Sequence, residues 1–428
     1  MYAIGIDIGT TSICGVVVDT ESGAVVKSCT EASNAFIPSE QPWEKIQDTE
    51  RIIALALEIL ESLLEYPAAV IGLTGQMHGI VYVNEDGKSV SPLYTWQDER
   101  GNQPYGDTTY ASYMGSFAGY GNVTDFYNKV NGIRPKEAAA HCTIMDYLGM
   151  VLCGTKVPKI HTTNAASLGC FDLLTKVFHY EVHAEICDSY DLIGFYKGIP
   201  VSVAIGDNQA SVFSTLTNEE DILLNVGTGS QVSIISNCIK EEGNIETRPY
   251  FEGKYLIVGA ALCGGRAYSL LKEFYQKILS AAGLVDVDIY ALMEGLLVFA
   301  DIDNGGLKVD TRFAGTRKEP ELFGQINGIT VNNFNPANIT RGFLQGMMTE
   351  LYDMYVKMGE KRLNLVGSGN GIRKNKTLIQ IAEKQFGGQL KIPVHMEEAA
   401  YGAALYGAVA SGIFENSRQA QALTQYKI

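Results

Sequence analysis

Short apolar runs alternate along the chain with longer segments in which apolar residues recur at helical spacing. The runs 2–8, 14–20 and 68–75 have the length of β-strands. The last of these is almost wholly apolar, which is typical of a strand covered on both faces. In the segment 48–66 the apolar positions follow a helical period, at Ile52, Leu55, Ile59 and Leu63. The pattern therefore predicts an α/β fold in which mixed β-sheets are flanked by helices.

The pattern of the first strand pair occurs a second time in the middle of the chain. The sequence IDIGTTSICGVVV begins at Ile6, and LNVGTGSQVSIIS begins at Leu224. Aligned without gaps, they match Asp7 with Asn225, Gly9 with Gly227, Thr10 with Thr228, and Ser12 with Ser230. A duplication of this kind predicts two related domains, which we place at residues 1–216 and 217–428.

Both turns have the composition of a phosphate-binding loop. Glycine lets the backbone turn tightly and approach a ligand closely. Successive N–H groups, together with threonine and serine hydroxyls, can then form a concave anion site. A single glycine-threonine turn would be weak evidence, because such turns are common in ordinary β-hairpins. Two copies in the two halves of one chain favour the functional interpretation.

A further position of interest is a carboxylate at the end of an apolar run. Residues 201–205 are apolar, Gly206 follows, and Asp207 precedes a segment of small residues with helical character. One interpretation is that Asp207 or Asn208 caps the helix. The other is that Asp207 lies at the carboxyl end of a strand, where a ligand binds, and takes part in chemistry. The residues alone leave both interpretations open.

The composition restricts the class of partner. The protein has 428 residues, 46% of them hydrophobic, and a formal net charge of −15 that is spread along the chain. This charge argues against nucleic acid, which needs clustered Lys and Arg, but not against a nucleotide held by backbone N–H groups and a metal ion. We see no signal peptide and no apolar run of membrane-spanning length. The eight cysteines have no metal-binding spacing. We therefore expect a cytoplasmic protein that binds neither nucleic acid nor membranes.

Four further motifs give the sequence a family resemblance. In chain order they are GLTGQMHG at Gly72, WQDER at Trp96, AIGDNQAS at Ala204 and EEAAYGAALYGA at Glu397. Together with the two glycine-threonine turns they resemble the FGGY family of carbohydrate kinases, which belongs to the actin/hexokinase/Hsp70 ATPase superfold. Within that family, LYTWQDERG and GSGNGIRKN are most similar to the sedoheptulokinases. The resemblance covers nearly the whole chain.

The resemblance implies two ribonuclease-H-like domains, with the active site in the cleft between them. It also implies an ATP-dependent transfer of phosphate to a sugar hydroxyl, for which sedoheptulose and its 7-hydroxyl are expected. Asp207 would accept the proton of that hydroxyl or orient it, and a helix N-terminus would keep its carboxylate ionised. Asp7 would bind Mg²⁺ through water, because Mg²⁺ keeps much of its hydration shell. The alternative for Asp7 is a turn residue that hydrogen-bonds Thr10 or Thr11.

Further site residues are implied by the family pattern. The sugar would contact Gln76, Met77, His78, Trp96, Asp98, Asp207 and Asn208. Trp96 would lay its ring against sugar C–H groups, and Asp98 would accept two hydroxyl protons. ATP would be bound by Gly9, Thr10, Thr11, Ser12, Gly227, Thr228, Gly229, Gly265, Gly369 and Asn370.

Other acceptors and another class of function remain as alternatives. Residues 101–140 are compressed relative to the family, and YNKVNGIRPKEAAAHC replaces its Lys- and Trp-bearing signature. This leaves the wall of the sugar pocket undefined, so xylulose, ribulose or a polyol is an alternative acceptor. A superfold ATPase that acts on proteins is the alternative from a different class. A homodimer is compatible with the sequence.

Overall fold

Two compact units make up the computed structural model, which describes residues 1–316, 319 and 321–427. The first unit contains Met1–Thr217, Arg248–Lys254 and Val394–Gln425. The second contains Asn218–Thr247, Tyr255–Pro393 and Tyr426–Lys427. The chain thus passes between the units more than once. The division of functions at residue 216 stays a prediction.

The strands are mostly short. In the first half of the chain they are β1 (Tyr2–Ile8), β2 (Ser12–Asp19), β3 (Val25–Ala32), β4 (Phe36–Ile37), β5 (Ile46–Gln47), β6 (Ala68–Gly75), β7 (Val81–Val83), β8 (Leu93–Tyr94), β9 (Pro104–Tyr105), β10 (Thr108–Thr109), β11 (Ala140–Cys142), β12 (Lys159–His161), β13 (Phe171–Asp172), β14 (Val177–Phe178), β15 (Glu185–Cys187), β16 (Leu192–Tyr196), β17 (Ile199–Ser202) and β18 (Ile205–Gly206). In the second half they are β19 (Asp221–Val226), β20 (Ser230–Ser236), β21 (Ile245–Pro249), β22 (Tyr255–Ala261), β23 (Lys308–Asp310), β24 (Gln325–Asn327), β25 (Asn364–Ser368), β26 (Leu390–Pro393) and β27 (Tyr426–Lys427).

The helices range from one turn to six turns. They are α1 (Thr49–Leu63), α2 (Tyr110–Tyr113), α3 (Gly121–Val130), α4 (Ile144–Cys153), α5 (Thr162–Ser167), α6 (Asp207–Thr215), α7 (Gly264–Ala281), α8 (Ile289–Leu297), α9 (Pro336–Met358), α10 (Gly369–Lys374), α11 (Lys376–Phe386), α12 (Glu398–Ala410) and α13 (Ser417–Gln421). Short 3₁₀ turns occur at Arg100–Asn102 and Asn304–Gly306. Within the described residues, no helix is both long enough and apolar enough to span a membrane.

The first predicted elements are confirmed. The strand predicted at 68–75 is β6, and the helix predicted within 48–66 is α1. This helix begins where the side chain of Asp48 accepts a hydrogen bond from the N–H of Arg51. It ends a few residues before Pro67, which could not continue a helix.

The two main sheets have the same core order, which confirms the predicted duplication and fold class. The first sheet runs β16-β17-β6-β1-β2-β3, and the second runs β21-β22-β20-β19-β25-β26-β27. In the first, β1 pairs antiparallel with β2 and parallel with β6. In the second, β19 pairs antiparallel with β20 and parallel with β25. Each glycine-threonine turn therefore connects the central strand of its sheet to the antiparallel neighbour.

Helix α12 packs with its backbone directly against the first sheet and against α6. A β-carbon at Gly5 on β1 would overlap the carbonyl oxygen of Ala400 on α12. A β-carbon at Gly402 on α12 would likewise overlap the carbonyl oxygen of Ala210 on α6. The small residues of EEAAYGAALYGA therefore mark close packing, because any larger side chain would separate these elements.

Gly402→Ala tests this packing. Alanine is the better helix former by about 1 kcal/mol, but here its methyl group would collide with the backbone of α6. We expect a loss of roughly 1–3 kcal/mol in the free energy of unfolding, the usual range for overpacking, measured by denaturant titration.

Gly295→Ala in α8 is the matched control, because, apart from the neighbouring residues and backbone of its own helix, no atom of the described residues lies within 4 Å of the position where its β-carbon would be. It should be neutral or stabilising by up to about 1 kcal/mol. Equal effects of the two substitutions would contradict close packing at Gly402.

Candidate functional site

Asp207 lies at the junction of β18 and α6. Gly206 ends the strand and is the N-cap of the helix, so Asp207 is the first helical residue. The Asp207 carboxylate accepts a hydrogen bond from the N–H of Asn208. The interpretation in which Asp207 or Asn208 is the cap residue is therefore wrong.

Asp7 is affected by the charges of other carboxylates in the first unit. The pKa of Asp7 is raised to about 7, first by burial and then by the neighbouring charges of Asp207 and Glu397. Burial also raises the pKa of Asp207 to about 6, against the lowering effects of the Asn208 N–H and the Arg248 guanidinium. We expected the helix N-terminus to keep Asp207 ionised. Burial outweighs that effect on the pKa, but with a pKa of about 6 the carboxylate is still mostly ionised at pH 7.

Asp7, on β1, has the environment of a carboxylate that contacts a hydrated cation. Its Oδ1 atom is buried and has no hydrogen-bond partner within the part of the chain that the structure describes. The hydroxyl of Thr10 does not fill this place, because it donates to Gln76. Among residues 1–316, 319 and 321–427, no three His, Cys, Asp or Glu side chains are placed to chelate one ion. The unpartnered Oδ1 of Asp7 fits a hard cation that keeps part of its water shell.

A closed ring of hydrogen bonds holds the turn after β1. The Thr10 hydroxyl donates to Oε1 of Gln76 (3.4 Å), and Nε2 of Gln76 donates to Oε1 of Gln47 (2.9 Å). Nε2 of Gln47 donates to the carbonyl oxygen of Thr10 (2.7 Å), which closes the ring. The indole N–H of Trp96 also donates to the Thr10 hydroxyl (3.0 Å). The ring and the Trp96 bond together join the predicted phosphate loop to two of the predicted sugar contacts, Gln76 and Trp96.

Gln47 was missed by sequence reasoning. It lies on the two-residue strand β5, and its side chain is fully buried. A single glutamine outside any glycine-rich or acidic motif gives no local signal of its role. Only the hydrogen bonds to Gln76 and Thr10, both far along the chain, reveal it.

His78 lies in the loop between β6 and β7 and is held in an uncommon conformation, with a φ of 73°. Its N–H donates to Oγ of Ser167 (3.2 Å), and its Nδ1 lies 2.8 Å from the carbonyl oxygen of Ser167. Because a carbonyl can only accept, Nδ1 carries a proton. The ring stacks on Tyr120 with 4.3 Å between ring centroids.

Met77, the preceding residue, lies beside the segment that leads to Asp207. A β-carbon at Gly206 would lie 2.8 Å from the sulfur of Met77 and 2.6 Å from Oε1 of Gln209. The structure therefore brings the predicted sugar loop next to the predicted base.

Asp98 requires a correction. It is fully buried, and so is Arg100. Its Oδ1 accepts from Nε of Arg100 (2.6 Å), while its Oδ2 accepts from Nη2 of Arg100 (3.0 Å) and from the N–H of Lys45 (2.9 Å). Both oxygens are occupied by protein donors, so we withdraw the expectation that Asp98 accepts two sugar hydroxyl protons. The carboxylate instead neutralises a buried guanidinium.

Trp96 and Asn208 are placed differently. Trp96 is 47% exposed, so a ring face is accessible. Asn208 accepts a hydrogen bond at Oδ1 from Nη1 of Arg248 (3.1 Å). This bond places the positively charged guanidinium of Arg248 near Asp207. Arg248 was not predicted, because it follows the second glycine-threonine turn in the sequence while belonging to the first unit.

The glycine-rich turns of the second unit lie against one another. The N–H of Gly227 donates to the carbonyl of Gly229 (2.9 Å), and the N–H of Arg266 donates to the carbonyl of Thr228 (2.9 Å). A β-carbon at Gly265 would overlap the carbonyl oxygen of Gly227. The structure thus brings the turn after β19 together with the start of α7.

The start of α10 joins the same cluster. Gly369 has a φ of 81°, which favours glycine, and a β-carbon there would lie 2.5 Å from the carbonyl oxygen of Val226. Asn370 is the next residue of α10. Asn225 donates from Nδ2 to Oγ of Ser368 (2.8 Å), which fixes the end of β25 to β19.

The two sheets of equal core order, each with a glycine-threonine turn after its central strand, define a protein of the two-domain actin-like ATPase fold. Comparison with family models identifies the family. The N-terminal domain of the FGGY family of carbohydrate kinases matches residues 2–107, and the C-terminal domain of that family matches residues 223–411. The chain belongs to the FGGY family of carbohydrate kinases, and the family resemblance predicted from the sequence is confirmed.

The relatives are similar over most of their length. Sedoheptulokinase from Mus musculus is 28% identical over an alignment of 463 residues, gaps included. The alignment covers 94% of this chain and 96% of the relative. Sedoheptulokinase from Homo sapiens is 27% identical over 469 residues, with the same coverage. Among solved structures, the ligand-bound xylulose kinase from Lactobacillus acidophilus matches with a TM-score of 0.85 at 18% identity. That match covers 100% of this chain and 93% of the other. It supports the fold.

The bond between Trp96 and Thr10 can be tested by a double-mutant cycle. Trp96→Phe keeps an aromatic face and removes the N–H donor, while Thr10→Val removes the hydroxyl at nearly constant shape. We expect the two effects on the free energy of unfolding to be non-additive by about 0.5–1.5 kcal/mol, the usual contribution of such a bond. Denaturant titration of the four proteins measures this. Additive effects would show that the bond does not stabilise the free protein.

Proposed function

We propose that the protein transfers the γ-phosphate of ATP to a terminal hydroxyl of a ketose, and that its preferred acceptor is sedoheptulose, phosphorylated at the 7-hydroxyl. The observation that carries this proposal is the position of Asp207. Its carboxylate begins α6, titrates near neutral pH and lies beside the Met77–His78 loop. A carboxylate in this situation can accept a proton from a bound hydroxyl.

Asp207 would act at the acceptor hydroxyl. As the new bond forms between the hydroxyl oxygen and the γ-phosphorus, the bond from that phosphorus to the leaving ADP oxygen breaks. The hydroxyl proton passes to the Asp207 carboxylate. Positioning and charge neutralisation supply most of the catalysis in such transfers. The Arg248 guanidinium near Asp207 supports this role, because it keeps the pKa of the carboxylate lower than burial alone would.

Asp7 would hold Mg²⁺ through water. Bound Mg²⁺ would neutralise phosphate charge during the transfer. The buried, unpartnered Oδ1 of Asp7 supports this assignment. So do the charges of Asp207 and Glu397, since neighbouring carboxylates are more easily kept ionised beside a cation.

The sugar pocket would be formed by Gln76, Met77, His78, Trp96, Asp207 and Asn208. His78 would donate to or accept from sugar hydroxyls, and the exposed ring of Trp96 would lie against C–H groups. Asp98 would contribute indirectly, because its pairing with Arg100 fixes the backbone of the same loop. The compressed segment 101–140 would form the variable wall.

ATP would be bound by backbone groups more than by side chains. In the second unit these are Gly227, Thr228, Gly229, Gly265, Gly369 and Asn370, whose elements pack closely together. In the first unit, Gly9, Thr10, Thr11 and Ser12 would offer N–H groups to phosphate. The hydroxyl of Thr10 is already engaged by Gln76 and Trp96, so we assign its backbone to this contact.

A substrate panel tests the proposed acceptor. Sedoheptulose, xylulose, ribulose and glycerol should be compared in an ADP-release assay with ATP and Mg²⁺. The two sedoheptulokinase relatives support sedoheptulose. We expect its kcat/KM to exceed that of xylulose by about tenfold for each buried polar contact that the shorter sugar leaves unmade, because such a loss costs roughly 1–3 kcal/mol. A higher kcat/KM for another acceptor would refute sedoheptulose and retain the kinase.

Asp207→Asn tests the proposed base. The amide cannot take up the proton, so we expect turnover to fall by about 10² to 10⁴, while ATP binding measured by calorimetry stays unchanged. In the native protein, only the ionised carboxylate is active. The rate should therefore fall as the pH drops through about 6, the pKa of Asp207, and level off above pH 7.

Two further variants control this experiment. Asp191→Asn makes the same substitution at a carboxylate paired with Lys159 on the surface of the first unit, and should leave turnover unchanged. Arg248→Met removes a charge that lowers the pKa of Asp207, so the fall in rate should move to higher pH. Native turnover in Asp207→Asn would exclude Asp207 as the base.

A further inference from the structure

The three residues before Asp207 are each held by a different buried side chain. The carbonyl of Ala204 accepts from Nδ2 of Asn164 (3.1 Å). The carbonyl of Ile205 accepts from the hydroxyl of Thr74 (2.7 Å), and the N–H of Gly206 donates to the hydroxyl oxygen of Thr163 (3.1 Å).

These three side chains have no solvent exposure: Thr74, Thr163 and Asn164 are each fully buried. Buried hydrogen bonds resist competition from water, and a buried polar group that loses its partner is costly. The backbone that leads to Asp207 is therefore held by three buried side-chain hydrogen bonds in addition to the pairing of the strand.

Two of the three contacts come from one short helix, α5. Its other end holds His78, since Ser167 accepts from the N–H of His78 at Oγ and from its ring Nδ1 at the carbonyl oxygen. Within α5, the hydroxyl of Ser167 donates to the carbonyl of Asn164 (2.8 Å). The same helix thus contacts the backbone before the proposed base and the histidine that we propose as a sugar contact.

The direction of the Thr163 bond is fixed by His161. Nδ1 of His161 lies 3.2 Å from the N–H of Thr163 and 3.0 Å from its hydroxyl oxygen. Because the N–H can only donate, Nδ1 is an acceptor, and the hydroxyl proton of Thr163 points toward it. Burial lowers the pKa of His161 to about 4, so the ring stays neutral at physiological pH. The hydroxyl oxygen of Thr163 is then left to accept from Gly206.

We propose that α5 is a positioning helix for phosphoryl transfer, in which Thr163 and Asn164 fix the backbone that places Asp207 while Ser167 fixes His78. This inference rests on the proposed function of Asp207 and deepens it. The helix sets where the base lies relative to the bound sugar without touching the reacting atoms. A shift of about 1 Å in such an arrangement can lower the rate about 100-fold.

Thr163→Val is the direct test, because it keeps the shape of the side chain and removes the acceptor for Gly206. With ATP, Mg²⁺ and the acceptor that turns over fastest in the panel, we expect kcat to fall about 10- to 100-fold. KM for ATP should change less than about twofold, because Thr163 is not among the residues that we propose for ATP binding. Thr163→Ser keeps the hydroxyl and should restore kcat.

Thr162→Val is the matched control. Thr162 is the neighbouring residue of the same helix and almost fully buried, but its hydroxyl donates to Oδ1 of Asp188 (2.6 Å). It should lower thermal stability about as much as Thr163→Val and leave kcat unchanged. Equal kcat values for the two valine variants would overturn the inference, and so would a failure of Thr163→Ser to restore kcat.

Asp207→Asn, measured in the same assay, separates this inference from the proposed function. If Asp207→Asn is inactive and Thr163→Val has native turnover, only the positioning role of α5 is wrong. If Asp207→Asn has native turnover, the proposed base itself is wrong. If Thr163→Val does not fold, Thr74→Val takes its place, because this substitution removes the hydrogen bond to the carbonyl of Ile205. Native kcat in Thr74→Val would likewise overturn the inference.

Discussion

The contact of α12 with β1 and α6 is the constraint on which the candidate site depends. Gly5 and Gly402 let the backbones of these three elements approach within a distance that no side chain would allow. Carboxylates lie on or next to all three elements, among them Asp7 on β1, Asp207 at the start of α6, and Glu397 immediately before α12. The charges of Asp207 and Glu397 both raise the pKa of Asp7. Close backbone packing therefore has an electrostatic consequence, because it concentrates negative charge in a partly buried place.

Such a concentration of charge is unfavourable in the free protein. Burial and like charges both raise the pKa of a carboxylate, and Asp7 titrates near 7 for these reasons. A hydrated cation beside Asp7 would reverse both effects, as cations do for neighbouring acids. Asp207 is less affected, since Arg248 and the Asn208 N–H act against burial. The two carboxylates thus differ in their neighbours: Asp7 is affected by two other carboxylates, and Asp207 by a guanidinium and a backbone N–H. This difference is compatible with the roles that we propose for them.

Sequence reasoning predicted the parts of the fold that depend on local pattern. The strands β1 and β6, the helix α1 and the repeated turns follow from apolar spacing and glycine positions, so they were found. The family pattern also singled out Asp207. It gave Asp98 the wrong surroundings, because the fully buried Arg100 that occupies its oxygens is visible only after folding. Gln47, Thr163 and Arg248 were missed for the same reason, since each acts through a bond to a residue at least 37 positions away.

The missed residues share a physical character that explains how the site is built. Gln47 and Thr163 are buried polar side chains whose partners are backbone groups of the functional loops. A loop that must approach a ligand cannot use large side chains of its own for packing, and Gly9 and Gly206 stand at such positions. The conformation of the loop must then be fixed by hydrogen bonds from buried side chains of other segments, and these bonds are strong when water is excluded. Gln47 and Thr163 hold these loops without being among the residues expected to contact substrates. They belong to no motif, because a lone Thr or Gln can serve wherever the fold places it against a backbone group.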